Sequence, residues 1–170
     1  AGVLLGSVLK LDPATVSWLF VLPLPGYLLG AWLSATLSAR IGQRHLFNIG
    51  MATLIIGALI IFTPGMAGLV TVVSLIGGGF VSFIGAGIIF PAATTAAIQP
   101  FPHHAGTAGA ILGGMQNLGA GLATLAASLM GAKDQFNLGS VMLVTAVLVV
   151  ISLFWVRRRF ANDAAMTPSL

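Results

Sequence analysis

Cysteine is absent from the 170 residues, and charged side chains make up only 6% of them. The absence of cysteine excludes disulfides, thiolate metal sites and a cysteine nucleophile. The shortage of charge excludes a surface that faces water on all sides, because an average soluble domain is about 25% charged. With 58% hydrophobic residues and a mean hydropathy of +1.06, the composition predicts that lipid is the main solvent of this chain.

Motifs of catalysis, metal binding and nucleic-acid binding are also missing. The sequence contains no phosphate-binding Gly-Lys loop, no Ser/His/Asp set and no histidine–carboxylate cluster with metal-ligand spacing. The net charge of +4 rests on seven Lys and Arg residues, and their positions between apolar stretches are typical of membrane loops. We therefore expect no enzyme, no cofactor, no metal and no nucleic-acid partner.

Five stretches are apolar and about as long as the roughly 20 residues that a transmembrane helix needs. Charge, proline or glycine interrupts the sequence between them. We expect transmembrane helices at 14–39, 45–63, 67–90, 106–130 and 139–156, with 1–9 as the end of a helix that begins outside the given sequence. The pattern predicts an all-α polytopic membrane protein with a transmembrane bundle over 1–160 and a tail over 157–170.

Positive charge is distributed unevenly between the two sets of loops. One set holds Arg40, Arg44, three arginines at 157–159 and all three histidines. The other set holds only Lys10 and Lys133, each near an aspartate. Because loops rich in Lys and Arg remain in the cytoplasm, we expect the arginine side, and with it the C-terminal tail, to be cytoplasmic.

Small residues recur every four positions along two of the predicted helices. They are Gly26, Gly30, Ser34 and Ser38 in 14–39 and Gly109 and Gly113 in 106–130. Helices in lipid associate through close backbone packing, so these stripes favour helix–helix contacts. The main interpretation of these stripes is structural packing between helices. The alternative is that the helices slide or rock along these contacts during function.

Two amides stand side by side at Gln116 and Asn117, within an otherwise apolar helix. Neighbours on a helix point about 100° apart, so these two amides do not easily share one target. Asn117 continues a small, polar stripe that includes Gly121, Thr124 and Ser128. Two interpretations stay open for the amides: hydrogen bonding between helices and a substrate site near the bilayer midplane.

Aromatic residues of the predicted helix 14–39 are further candidates for ligand contact. Tyr27 lies deep in the helix, where a phenol needs a polar partner. Trp18 lies near the helix end, where it is either an interface anchor or a ligand contact. No Asp, Glu, Lys, Arg or His lies in the middle of a predicted span, so if transport is coupled to protons, the carboxylate that carries them lies outside this chain.

Two stretches resemble a known family of transporters. The segment "ATLSARIGQRHLF" (35–47) resembles the degenerate second copy of the major facilitator signature, with Arg40, Gly42 and Arg44 at matching positions and Ala39 where the signature has Asp. The segment "GAGIIFPAATTAAIQPFPHHAGTAGAILGGMQNLGAG" (85–121) is similar to the tenth-to-eleventh helix region of the Bcr/CflA drug-resistance transporters in the major facilitator superfamily.

The resemblance implies the C-terminal half of a twelve-helix fold, with five complete helices plus the end of a sixth and an N-terminal half missing from this chain. It implies proton-driven export of hydrophobic or amphipathic small molecules across the bacterial inner membrane, through a cavity between two halves. The residues that would face the ligand are Trp18, Tyr27, Phe83, Gln116 and Asn117. Export of a specific metabolite and a non-transporting, truncated membrane subunit stay open as alternatives.

Overall fold

The computed structural model describes residues 12–129 and 135–166, and the regular structure in these two ranges is helical without any strand. The helices are α1 (Pro13–Val21), α2 (Leu24–Met66), α3 (Val72–Ile98), α4 (Ala105–Leu129) and α5 (Gln135–Met166), with a 3-10 turn at Pro102–His104. The predicted all-α class is therefore confirmed. The predicted helix end at 1–9 lies outside the described residues.

The first arm of α2, residues 24–41, runs beside α3 in the same direction. A Cβ added to Gly26 would lie 2.6 Å from the carbonyl oxygen of Phe80. Four residues later, a Cβ on Gly30 would overlap the backbone of Ile84. The two backbones approach this closely because glycine has no side chain to separate them.

The second arm of α2, residues 43–66, runs beside α3 in the opposite direction. Gly50 lies against the side chain of Ile89, whereas Gly57 lies against the carbonyl oxygen of Gly78. The contacts thus move toward the start of α3 as the second arm proceeds. The two arms are antiparallel to each other, and α3 packs against both.

Gly42 lies between the two arms and is the point at which the chain reverses. Its φ of 74° and ψ of 154° are not helical, and this conformation is readily available only to glycine. The reversal separates the predicted helices 14–39 and 45–63. A break at Leu22 and Pro23 further divides the first of them into α1 and the first arm of α2.

Helix α5 packs antiparallel to the second arm of α2. Gly65 faces the backbone of Phe136, and Gly139 faces the backbone of Phe62. The rings of Phe62 and Phe136 lie 5.2 Å apart with an interplanar angle of 35°. The second arm therefore contacts α3 on one side and α5 on another.

Three helical segments among the described residues are long and apolar enough to cross a membrane: Ala14–Met66, Val72–Ile98 and Gln135–Trp155. The first has 53 residues, or about 80 Å of helix at 1.5 Å per residue, which exceeds twice the thickness of a hydrocarbon core of about 30 Å. Helix α4 has 25 residues but is not among these segments, because its glycines and amides lower its hydropathy.

Helix α3 continues past its predicted end at Phe90 and includes Pro91 in its interior. Proline removes one helical hydrogen bond and disturbs the turn before it. The hydroxyl of Ser34 donates to the carbonyl oxygen of Ile88 at 3.0 Å, within that turn. The carbonyl that loses its helical partner to Pro91 is that of Gly87, so the Ser34 bond is made to the next carbonyl and ties the first arm of α2 to the turn that the proline disturbs.

Helix α5 also differs from its predicted range of 139–156. It begins at Gln135 and its backbone stays helical to Met166, into the predicted tail. Gln135 is only 1% exposed, although its polar surroundings in the sequence are typical of a loop. The helix begins early because the Gln135 side chain finds three hydrogen-bonding groups at the junction of α2 and α3.

Candidate substrate-binding face

Helix α4 is exposed along its whole length, and none of its residues is buried. Six large apolar side chains follow one another at spacings of three and four residues, which places them on one face of the helix. They are Ile111, Met115, Leu118, Leu122, Leu125 and Leu129. Three of these residues, Ile111, Met115 and Leu122, also line grooves between α4 and its neighbours.

A second face of α4 carries small and polar residues. Asn117, Gly121, Thr124 and Ser128 are all exposed and lie about 100° around the helix from the apolar face. Lipid cannot satisfy an exposed amide or hydroxyl, so this polar face of α4 suits contact with protein or with a water-filled cavity.

The two neighbouring amides of α4 point in different directions. Asn117 donates from Nδ2 to the carbonyl oxygen of Gly113 in its own helix at 2.9 Å. Thr124 likewise donates to Ala120 at 2.8 Å. Gln116 is half-buried and lines neither of the grooves between α4 and its neighbours. Because Asn117 Nδ2 bonds a carbonyl of its own helix, this bond does not join α4 to another helix.

The three aromatic candidates lie on other helices. Trp18, on α1, is 73% exposed, and Phe83, on α3, is 40% exposed. Tyr27 is half-buried on the first arm of α2, where its backbone lies against Gly87. Three clefts between the helices are lined by other residues, so the described chain does not bring the five candidates together around one of these cavities.

Two apolar grooves separate α4 from its neighbours. One groove of about 460 Å³ lies between α4, the end of α3 and the 3-10 turn, and includes Phe101, His104 and Met115. Another of about 380 Å³ lies between α4 and α5, with Leu122 and Val144 in its lining. These grooves explain why the bundle-facing side of α4 is only half-buried.

The residues of the signature loop lie at the reversal between the two arms of α2. Arg40, Gly42 and Arg44 are all exposed. A Cβ on Gly42 would meet nothing within 4 Å, so glycine is needed there for its backbone conformation and not for space. The signature glycine is thus the residue that turns the chain.

Two amides that join helices are not identified by the sequence pattern. Gln135 bonds the carbonyl oxygen of Ile61 and the hydroxyl of Ser74, and accepts from the backbone of Thr71. Gln43, directly after the turn, reaches α3 across a cleft. Both follow charged or glycine-rich segments, where a glutamine looks like a solvated loop residue, and no periodicity marks them.

Comparison with known proteins identifies the class to which this bundle belongs. The model of the Major Facilitator Superfamily matches residues 1–167. The chain therefore belongs to the major facilitator superfamily, whose members are transporters.

The chain is also similar to Multidrug resistance protein D of Escherichia coli (strain K12), with 36% identity over 151 residues. The match covers 89% of this chain and 38% of that protein, so the chain spans well under half the length of this relative. The similarity confirms the predicted resemblance of the chain to drug-resistance transporters of the major facilitator superfamily. No solved structure matches the chain significantly.

Proposed function

We propose that this chain is the C-terminal half of a multidrug exporter that expels hydrophobic or amphipathic molecules in exchange for protons. The similarity to Multidrug resistance protein D over 89% of the chain carries this proposal. The N-terminal half would supply the opposite wall of the cavity, and the two halves would rock to alternate access.

The alternating helix directions support five crossings of the membrane. The two arms of α2 are antiparallel, and α3 and α5 each run opposite to the second arm. Residues 1–9 would be the end of a sixth crossing. The signature loop and the tail would lie in the cytoplasm of a bacterial inner membrane, as the arginines indicate.

We place the substrate-binding surface on the polar face of α4, which would line the cavity between the two halves. Its exposed amide at Asn117 and its small residues leave space and offer adaptable hydrogen bonds. Gln116 on the same helix, and Tyr27, Phe83 and Trp18 on three other helices, would add polar and aromatic contacts around the cavity. The proton-carrying group would come from the other half, because no Asp, Glu, Lys, Arg or His lies in the middle of a predicted transmembrane helix.

Substrate profiles test the proposed binding face. We expect Asn117→Ala, in the complete polypeptide as its gene encodes it, to change the relative export of a panel of lipophilic cations and neutral dyes, with nucleosides, sugars and amino acids included in the panel to test the specific exporter. Leu118→Ala is the matched control, since Leu118 is 66% exposed on the apolar face. Export would be measured in inverted membrane vesicles under an imposed pH gradient, with the protein level determined in the same vesicles.

Three outcomes of this experiment separate the alternatives. A changed profile at an unchanged protein level supports binding at Asn117. Equal loss of every substrate together with protein favours a packing role for the residue. Export of one metabolite class alone, or no gradient-dependent export by the unsubstituted protein, would contradict multidrug exchange and support the specific exporter or the non-transporting subunit.

Cysteine labelling tests the proposed orientation, because the chain has no native cysteine. We expect His103→Cys to react with a membrane-impermeant maleimide only in inverted vesicles, and Leu69→Cys, in the turn between α2 and α3, only in intact spheroplasts. Each variant is the control for the other. The opposite pattern would place the arginine side outside the cell.

A further inference from the structure

A groove at the arginine end of the bundle has apolar walls and contains one histidine. It lies between the end of α3, the 3-10 turn and the first half of α4, and has a volume of about 460 Å³. Phe101 and His104 line it at the turn, and Ile111, Leu112 and Met115 line it farther along α4. The groove therefore has a polar group at one end and an apolar body along the helix.

The length of this groove matches the length of one lipid chain. Met115 lies 11 residues after His104, which is about 16 Å at the rise of 1.5 Å per helical residue. One leaflet contributes half of a hydrocarbon core of about 30 Å. An acyl chain that begins beside His104 would therefore extend along the groove to Met115.

The turn lies at the end of the bundle that carries basic side chains. The reversal of α2, with Arg40 and Arg44, shares a cleft with Thr95 of α3. Ala97, two residues after Thr95, lines the groove. The sequence has no Asp or Glu between positions 13 and 133, so no acidic side chain of that stretch offsets these cations. This end of the bundle is electrostatically suited to an anionic lipid head.

A phosphate group is the acceptor that suits the polar end of the groove. The imidazole of His104 has one N–H donor in either neutral tautomer and two donors when it is protonated. A hydrogen bond to an ionised phosphate is stronger than one between neutral groups. Phosphatidylcholine carries the same phosphate, but its ammonium group offsets the charge that basic side chains attract. The groove therefore favours a lipid whose head has a net negative charge.

We propose that the groove between α3, the 3-10 turn and α4 binds an anionic phospholipid. One acyl chain lies along Ile111 and Met115, and an N–H of His104 donates to a phosphate oxygen. The inference goes beyond the proposed function: it rests on the proposed membrane crossing of α4 and not on which compounds the protein exports.

Fluorescence quenching by brominated lipids tests this site. The reporter is Ile111→Trp in the complete polypeptide as its gene encodes it, with the native tryptophans replaced by phenylalanine. Ile111 is about 10 Å from His104 along the helix, near the depth of bromines in the middle of an acyl chain. The vesicles are phosphatidylcholine with brominated phosphatidylglycerol or brominated phosphatidylcholine at equal mole fractions. We expect phosphatidylglycerol to bind at the reporter about three- to fivefold more strongly, in the range for one basic side chain near an anionic leaflet.

Two controls locate the preference. Ile56→Trp is a reporter on the second arm of α2, where Ile56 is 52% exposed and does not line the groove, so its ratio should be close to one. His104→Ala should lower the ratio at Ile111→Trp to the value at Ile56→Trp. His103→Ala should leave the ratio unchanged, because His103 is exposed in the same turn but does not line the groove.

A variant inside the groove tests the position of the chain independently of the histidine. Ala108 is half-buried and lines the groove, so Ala108→Leu narrows it and should reduce quenching of Ile111→Trp by both lipids. Unchanged quenching in this variant would show that the acyl chain lies elsewhere and would overturn the proposal.

Three further results would also overturn the proposal. Equal quenching of Ile111→Trp by both lipids would mean ordinary contact with the surrounding bilayer. Quenching of Ile56→Trp without quenching of Ile111→Trp would mean that another part of the protein covers the groove. An equal effect of His103→Ala and His104→Ala would assign the preference to the charge of the whole turn. Export is not measured, so a failure of multidrug exchange would leave each of these results interpretable.

Discussion

Helices α3 and α4 have similar lengths, 27 and 25 residues, and both are rich in glycine, but their environments differ completely. Three of the five glycines of α3, Gly78, Gly85 and Gly87, lie against the backbone of α2: a Cβ on Gly85 would be 2.8 Å from the carbonyl oxygen of Gly50. On α4, a Cβ on Gly113 or Gly121 would meet nothing within 4 Å. The same residue type serves close packing in one helix and leaves an open face in the other.

The difference shows that a stripe of small residues predicts a contact but not the partner. The stripe in the first arm of α2 finds α3, and three of its four members, Gly26, Gly30 and Ser34, are buried. The fourth, Ser38, is exposed and bonds within its own helix. The open stripe of α4 is consistent with a face that the proposed N-terminal half would cover.

Gly85→Ala should have the largest effect on stability. The new methyl group would collide with backbone atoms of Gly50 and Leu54, which cannot move without displacing the second arm of α2. We expect a loss of about 3 kcal/mol in the free energy of unfolding, at the upper end of the range for overpacking. Unfolding by SDS in mixed micelles would measure it.

Gly113→Ala is the matched control for Gly85→Ala. Its added methyl group meets no atom, and alanine stabilises a helix relative to glycine by up to about 1 kcal/mol. A large loss from Gly113→Ala in the complete protein would show that another part of the protein covers this face closely. If Gly85→Ala and Gly113→Ala lowered the free energy of unfolding equally, the glycines of α3 and α4 would not differ in how closely they are packed.

Gln135→Leu should have the next largest effect. Leucine fills a similar volume but leaves the backbone amide of Thr71 and the carbonyl of Ile61 without the partners they have now. An unsatisfied buried group costs about 1–3 kcal/mol, so we expect a loss of about 2 kcal/mol, measured in the same micelles.

Gln99→Leu is the control for Gln135→Leu, because Gln99 is exposed and should tolerate leucine within about 0.5 kcal/mol. If Gln135→Leu left the free energy of unfolding unchanged, the junction of α2, α3 and α5 would not depend on the Gln135 amide. The close packing of Gly65 and Gly139 between α2 and α5 would then be sufficient to hold it.

Composition and apolar length predict the all-α membrane fold, and the four-residue spacing predicts the buried glycines of α2. These features are local, so they can be recognised without knowing the neighbouring helices. The extension of α3 beyond Pro91 could not be predicted in this way. Nor could the contact beside it, because the Ser34 hydroxyl and the Ile88 carbonyl are 54 residues apart in the sequence and adjacent only in the folded chain.

The candidate site was predictable only as a list of residue types. Asn117 is recognisable because an amide in an apolar helix requires an explanation, but its bond to Gly113 depends on its rotamer. Gln135 and Gln43 were missed because each follows a polar turn, and the pattern does not show whether such a residue faces water or the bundle. Which atoms meet at a helix junction is decided by tertiary packing.

Ser34→Ala should change the free energy of unfolding less than Gly85→Ala or Gln135→Leu does. It therefore gives the most sensitive test of the difference between α3 and α4. It removes one buried bond to Ile88, and bonds between membrane helices contribute about 0.6 kcal/mol on average. Its matched partner is Thr124→Val, which removes a bond within exposed α4. We expect Ser34→Ala to cost about 0.6 kcal/mol or slightly more, because Pro91 weakens the same turn, and Thr124→Val to change the free energy of unfolding by less than that. If Thr124→Val cost more, a partner for the polar face of α4 would have to be present in the unfolding assay, and α4 would then be as firmly packed as α3.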